Sequence, residues 1–84
     1  MYKITFSRLS YKQFKKLPMN EYVRVFNAIG LLMSDSPTPN LDIIKLTDQG
    51  GHRLRVGDYR ILYTKKNKGR EIDIESIAHR KDAY

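Results

Sequence analysis

Three arginines on one face of a short hairpin are the residues of this chain best suited to chemistry. The stretch His52-Arg53-Leu54-Arg55-Val56-Gly57-Asp58-Tyr59-Arg60-Ile61-Leu62-Tyr63 reads as two strands turning tightly on Gly57-Asp58. A two-residue loop sets Val56 opposite Tyr59, Arg55 opposite Arg60 and Leu54 opposite Ile61. Side chains alternate along a strand. Leu54, Val56, Tyr59, Ile61 and Tyr63 therefore share one face, and Arg53, Arg55 and Arg60 share the other. Like charges directly opposite each other on a sheet cost about 0.2–1 kcal/mol. A cation set against a cation points to a face that holds an anion. Guanidinium groups suit a phosphate, because their planar donors grip its oxygens and they stay charged. The plainer reading is that charged strands resist edge-to-edge association. That reading covers Arg53 alone well, and three arginines on one face poorly.

Other chemistries find little support. The chain has no cysteine, hence no disulfide framework and no thiolate. Its two histidines do not stand at metal-ligand spacing with nearby carboxylates. Gly50-Gly51 leads into a strand rather than a helix, so it is not a phosphate-binding loop. No cofactor is expected. Asp73 and Glu75 could form a carboxylate pair, but they alternate with Ile72 and Ile74 and read more simply as a solvated strand face or as counter-ions for the arginines. The last residues, Ile77-Ala78-His79-Arg80-Lys81-Asp82-Ala83-Tyr84, add a second basic cluster. A helical turn there would bring Arg80 and Tyr84 to one side; the plain alternative is a basic end with a packed aromatic.

These groups need a scaffold to position them, and 84 residues allow one domain, 1–84. The net charge of +7 and pI near 9.8 favour a polyanionic partner: nucleic acid, an anionic membrane surface or an acidic protein. No apolar run approaches the roughly 20 residues that span a bilayer, and Met1 is followed by alternation rather than by a signal-peptide pattern. The cytosol is the expected compartment. Tyr2-Lys3-Ile4-Thr5-Phe6 alternates as a strand. Ser7 caps a helix running to about Leu17, with Ser10 and Gln13 as a capping box one turn later. Tyr11, Phe14 and Leu17 form its stripe, and Pro18 ends it. Asn20 caps a second helix running to about Met33, with Tyr22, Phe26, Ile29 and Met33 at helical spacing and Val25, Ala28 and Leu32 beside them. Ser34 to Asn40 is a loop by composition, and Ile43 to Leu46 a short extended piece. After the arginine hairpin, Asn67-Lys68-Gly69 is a turn. A last strand runs from about Glu71 to His79, with Ile77 out of phase in a way that suggests a bulge. The expected fold is α+β in the order β-α-α-β-β-β, a small antiparallel sheet with a helical hairpin on its apolar face.

Arg53 to Tyr63 together with His79 to Tyr84, the opening strand and the helix ending in Lys15-Lys16-Leu17-Pro18 resemble the RelE family of bacterial type II toxin–antitoxin toxins, over nearly the whole chain. The resemblance implies an endoribonuclease that cleaves messenger RNA in the decoding site of the ribosome. The ribose 2′-hydroxyl attacks the adjacent phosphate, leaving a cyclic phosphate and a free 5′-hydroxyl. It implies that Arg60 binds the scissile phosphate, that Arg80 completes the cationic site, and that Arg53 and Arg55 are the paired basic strand positions, often lysine in relatives. Tyr84 would stack on a base and assist proton transfer. His79, with Lys81 beside it, would contact the RNA. Both Tyr84 and His79 stay open as the base. The implied partners are the ribosome, the message and an acidic antitoxin that lays a helix across the toxin, with no membrane involved. Lys12, Lys15, Lys16 and Arg24 would face ribosomal RNA, a solvated helix face being the bland alternative. Two rival functions share these features: a ParE-type poison of DNA gyrase, and a non-catalytic basic nucleic-acid-binding module.

Overall fold

The computed structural model describes residues 1–34, 41–66 and 68–82. The elements run β1 (Lys3–Phe6), α1 (Arg8–Lys15), α2 (Met19–Leu32), β2 (Asp42–Lys45), β3 (Gly51–Val56), β4 (Tyr59–Lys66) and β5 (Glu71–His79). The five strands form one sheet in the order β1-β5-β4-β3-β2. The last four strands make an antiparallel meander, one strand more than the three expected after the helices. β1, however, pairs with β5 in parallel, Lys3 opposite Glu71 through Phe6 opposite Ile74, so the sheet is mixed. An antiparallel partner can be reached through a hairpin, whereas a parallel one needs a long crossover. Here everything between β1 and β5 acts as that crossover. The extended piece near Ile43 is a fourth strand of the meander, exposed along its whole length at the sheet edge.

The arginine hairpin folds as its alternation requires. Val56 is opposite Tyr59, Arg55 opposite Arg60, and Leu54 opposite Ile61. Gly57 adopts φ +59 in the turn, a left-handed conformation that favours glycine. A Cβ at Gly57 would lie 2.9 Å from Nη1 of Arg24, which reaches over the turn from α2. Gly57→Ala should therefore cost about 1 kcal/mol or more through backbone strain. The flexible Arg24 can move aside. A urea titration checks this, and an unchanged midpoint would contradict it.

Burial follows the same alternation. Leu54 and Ile61 are fully buried, and Val56 and Tyr59 pack against the core they join. Burial also pushes the Tyr63 phenol up to about 12, which removes it as a proton acceptor near neutral pH. In β5 the out-of-phase Ile77 is reconciled by an irregularity between Leu62 and Tyr63: Tyr63 faces Ile74 while Leu62 faces Ser76. One extra residue, Glu75, is accommodated, and Ile77 returns to the core at 2 % exposure.

The helices cover this apolar face with two departures from the expected detail. Ser7 caps α1 by accepting from the Ser10 N–H at 3.0 Å, but Gln13 takes no part in a capping box. β1 ends opposite Ile74, which leaves the rest of that β5 edge without a strand. α1 lies along it instead. Ser7 Oγ donates to the Glu75 carbonyl at 2.8 Å, Ser10 Oγ to the Ile74 carbonyl at 2.8 Å, and the Ile77 N–H donates to Gln13 Oε1 at 2.6 Å. Side chains thus satisfy backbone groups that a neighbouring strand would otherwise take. α2 starts one residue before Asn20, with Pro18 as its N-cap and no side-chain cap bond. Its buried stripe is Val25, Ala28, Ile29 and Leu32, and Phe26 is 59 % exposed. The i, i+3, i+4, i+7 set centred on Ala28 and Ile29 contains more aliphatic side chains of core size than the aromatic set beside it. Phe6, Phe14 and Tyr22 stack in sequence at 5.4 and 4.4 Å between ring centroids, tying β1, α1 and α2 together. No helix among the described residues is long and apolar enough to cross a membrane. The Ser34 to Asn40 loop and the Asn67 turn position fall largely outside the described residues.

Candidate functional site

The sheet face away from the helices carries Arg53 and Arg55 of β3, Arg60 of β4, and Asp42 of β2, which stands opposite Arg55. A four-residue sheet neighbourhood with three cations and one anion keeps an excess of positive charge. Asp42 Oδ2 lies 3.0 Å from Arg55 Nε. This ion pair relieves the cross-strand opposition of Arg55 and Arg60. Part of the anion that the arginine face calls for is therefore supplied by the chain itself. Both partners are half-exposed, so the pair adds little stability.

Arg53 and Arg60 line a cavity of about 360 Å³ on this face. Leu62 of β4 and Ser76 and Ala78 of β5 line it too, and Gln13, Leu46 and Asp82 enter it from outside the three central strands. The cavity exists because the residues next to Arg60 and Leu62 on β5 are small: Ala78 faces Arg60 and Ser76 faces Leu62. The β5 irregularity is what brings these two, rather than Glu75 and Ile77, under the arginines. A second, shallower recess of about 230 Å³ is lined by Asp42, Ile44, Arg53 and Arg55. Arg53 lines both recesses, so a bound anion at either reaches a shared guanidinium. The arrangement offers two planar cationic donors above an apolar and small-residue bed, which fits a diester flanked by flat or aliphatic groups.

The remaining residues singled out in the sequence are placed as follows. Arg80 follows β5 at the hairpin end of the sheet. Its N–H donates to the Asp58 carbonyl at 2.7 Å, and its Nε lies 3.7 Å from Asp58 Oδ1. His79 pairs with Tyr59, whose side chain is on the helix-covered face. Its ring meets the Tyr59 ring edge-on at 5.3 Å, and its Nδ1 accepts from the Lys81 N–H at 3.2 Å. The fold brings Arg53, Arg55 and Arg60 together. It sets Arg80 at the adjoining turn and turns His79 to the opposite side of the sheet. Lys81 is exposed in the turn after β5. Tyr84 lies outside the described residues. On the helices, Lys12 and Lys16 are exposed, Lys15 stands over the Tyr11 ring at 5.2 Å, and Arg24 lies 3.7 Å from Glu21.

Asp73, considered above as half of a carboxylate pair, is committed elsewhere. It accepts from Thr5 Oγ1 and pairs with Lys66 at 2.9 Å. The Thr5 hydrogen bond first, and Lys66 second, hold its carboxyl below the usual range, and Asp73 in turn raises Lys66. Glu75 accepts from Thr64 Oγ1 at 2.6 Å. Both carboxylates therefore serve the sheet surface. No group of three or more histidine, cysteine or carboxylate side chains that could hold a metal occurs among the described residues. Sequence reasoning missed Asp42, Gln13, Leu46, Leu62, Ser76, Ala78 and Asp82 as site residues. Only Ser76 and Ala78 carried a signal, since small residues in phase with a cationic row mark where space can open.

No family model matches the chain, and no curated relative does. Solved structures do. A chain of the archaeal RelE-RelB complex from Pyrococcus horikoshii is 29 % identical, with a TM-score of 0.84 over 98 % of both chains. A chain of the RelB-RelE antitoxin-toxin complex from Methanococcus jannaschii is also 29 % identical, with a TM-score of 0.78 over 95 % of this chain and 94 % of that one. A chain of the intact RelBE toxin-antitoxin complex from E. coli shares the fold at 13 % identity, with a TM-score of 0.78 over 94 % of this chain and 96 % of that one.

Proposed function

The chain belongs to the RelE family of toxins, in the RelE/ParE superfamily, and from that premise we propose that it is a ribosome-dependent endoribonuclease that cleaves messenger RNA. It is a toxin of a type II toxin–antitoxin system, with an antitoxin as its protein partner. The observation that carries the nuclease reading is the cavity shared by Arg53 and Arg60. In the reaction, the 2′-oxygen bonds to phosphorus, its proton passes to a base, and the bond to the 5′-oxygen breaks, that oxygen taking up a proton from water. A cyclic phosphate and a 5′-hydroxyl result. The pentavalent intermediate carries more negative charge than the diester. Guanidinium groups fixed in place before the reaction stabilise it more than the ground state. Arg60 and Arg53 hold the phosphate, Arg80 adds charge from the turn, and Tyr84 stacks on a base. Tyr84 is the candidate for the base, since His79 lies on the opposite side of the sheet from the cavity. The ribosome supplies the orientation of the message that so open a face does not impose. Lys12, Lys15, Lys16 and Arg24 face ribosomal RNA, and the antitoxin is acidic, complementing the net charge of +7.

The test is to add the purified chain to ribosomes translating a defined message and map ends by primer extension. Cuts inside the reading frame that vanish when translation is blocked are expected. Inhibition of gyrase supercoiling without cuts would instead place the chain with the ParE-type poisons. Salt-dependent RNA binding without cuts would leave a binding module.

A further inference from the structure

Gln13 reaches the arginine cavity from α1, and only one end of its carboxamide is engaged. The Ile77 N–H can only donate, so the atom that faces it at 2.6 Å is Oε1. That bond also sets the orientation of the planar group. Nε2 lies on the side away from the Ile77 N–H, and among the described residues no hydrogen bond takes its hydrogens. Gln13 is half-buried and lines the same cavity as Arg53 and Arg60. A side chain whose rotamer is already locked by a backbone bond loses little freedom when it meets a ligand.

We propose that Gln13 is a substrate-contacting residue whose Nε2 donates to an oxygen of the RNA backbone seated at Arg53 and Arg60. This deepens the reading of the cavity as an RNA cleavage site and rests on it. The chemistry favours a backbone oxygen. The engaged end of the carboxamide is its acceptor, so what it presents to the cavity is a donor, and a phosphate oxygen is an acceptor only. Asp82, in the same lining, offsets part of the arginine charge, so the cavity suits one diester rather than a run of phosphates. Gln13 thus has two roles through its two ends: Oε1 closes the β5 edge, and Nε2 meets the substrate.

Two variants separate those roles. Gln13→Glu keeps an acceptor for the Ile77 N–H but has no donor. Gln13→Met loses both. Cleavage on translating ribosomes and urea unfolding are measured for each. Gln13→Glu should keep the wild-type unfolding midpoint while kcat/KM falls about ten- to hundredfold, the loss expected for a hydrogen bond to a charged group. Gln13→Met should show that fall per folded molecule together with a lower midpoint. The charge added in Gln13→Glu weakens at higher salt, whereas the loss in Gln13→Met involves no charge and should persist there. Gln13→Glu cleaving like the wild type would reduce Gln13 to its structural role and overturn the proposal. So would Gln13→Met cleaving normally once scaled to its folded fraction, which decides the matter even if Gln13→Glu fails to fold. Absence of cleavage by the wild type itself is a different result: it removes the nuclease reading on which the proposal stands.

Discussion

Arg60→Ala is expected to lower cleavage of messenger RNA on translating ribosomes by about 10²–10³-fold, the usual effect of removing one prepositioned group that stabilises a developing oxyanion. Arg60 is favoured over Arg55 and Arg80 by its position, since it lines the cavity and they do not. Arg55 is paired with Asp42, and Arg80 lies beside Asp58. Arg60 is half-buried in the 360 Å³ cavity, next to Ala78 on the neighbouring strand. Arg55→Ala should therefore cost much less activity than Arg60→Ala. Arg60→Lys should recover only part of the loss, since an ammonium keeps the charge but not the planar pair of donors. The fold should survive, because the side chain points away from the helix-covered core and its removal ends a like-charge opposition with Arg55. The unfolding free energy from urea titration should stay within about 1 kcal/mol of wild type. Equal cleavage by wild type and a folded Arg60→Ala variant would take away the central role given to this arginine.

Ile61→Ala, one residue along the same strand, should have the opposite profile. Ile61 is fully buried between Leu54 and Ile77 on the two neighbouring strands. Truncating an isoleucine at such a site costs about 2–5 kcal/mol. Domains of this size have about 5–15 kcal/mol in all, so a large share of the stability is at stake. The midpoint in urea should fall steeply with the slope unchanged. Activity should follow the folded fraction: cleavage per folded molecule in the cold should remain close to wild type. A midpoint that barely moves would show that the centre of β4 is not where the core is anchored. Comparing Ile61→Ala with Arg60→Ala thus tests whether the two faces of one strand divide stability and function between them.

That division was legible before any coordinates, since strand alternation and a two-residue turn are local properties. Gly57-Asp58 and the residues around it are enough to set Arg55 against Arg60 and to send Leu54, Ile61 and Tyr63 inward. The same local logic located β5 and the need for an irregularity at Ile77. Helix positions were legible to within a turn. The choice of buried stripe in α2 was not, because Tyr22, Phe26 and Met33 recur at helical spacing just as Val25, Ala28, Ile29 and Leu32 do, and the sheet's shape selects between them.

What needed the tertiary structure was everything that depends on which segments lie side by side. The parallel pairing of β1 with β5 joins residues at opposite ends of the chain, and no local pattern specifies such a partner. Once β1 stops at Phe6, the β5 edge beyond it must be satisfied by α1, and this turns Gln13 from an apparent capping residue into a wall of the cavity. The register of β2 puts Asp42 on Arg55, and the turn after β5 brings Asp82 to the arginines. The sequence by itself determined which face would be cationic, because alternation is set by the covalent chain. The tertiary structure decided which counter-ions and cavity walls those cations meet, because both come from residues distant along the chain.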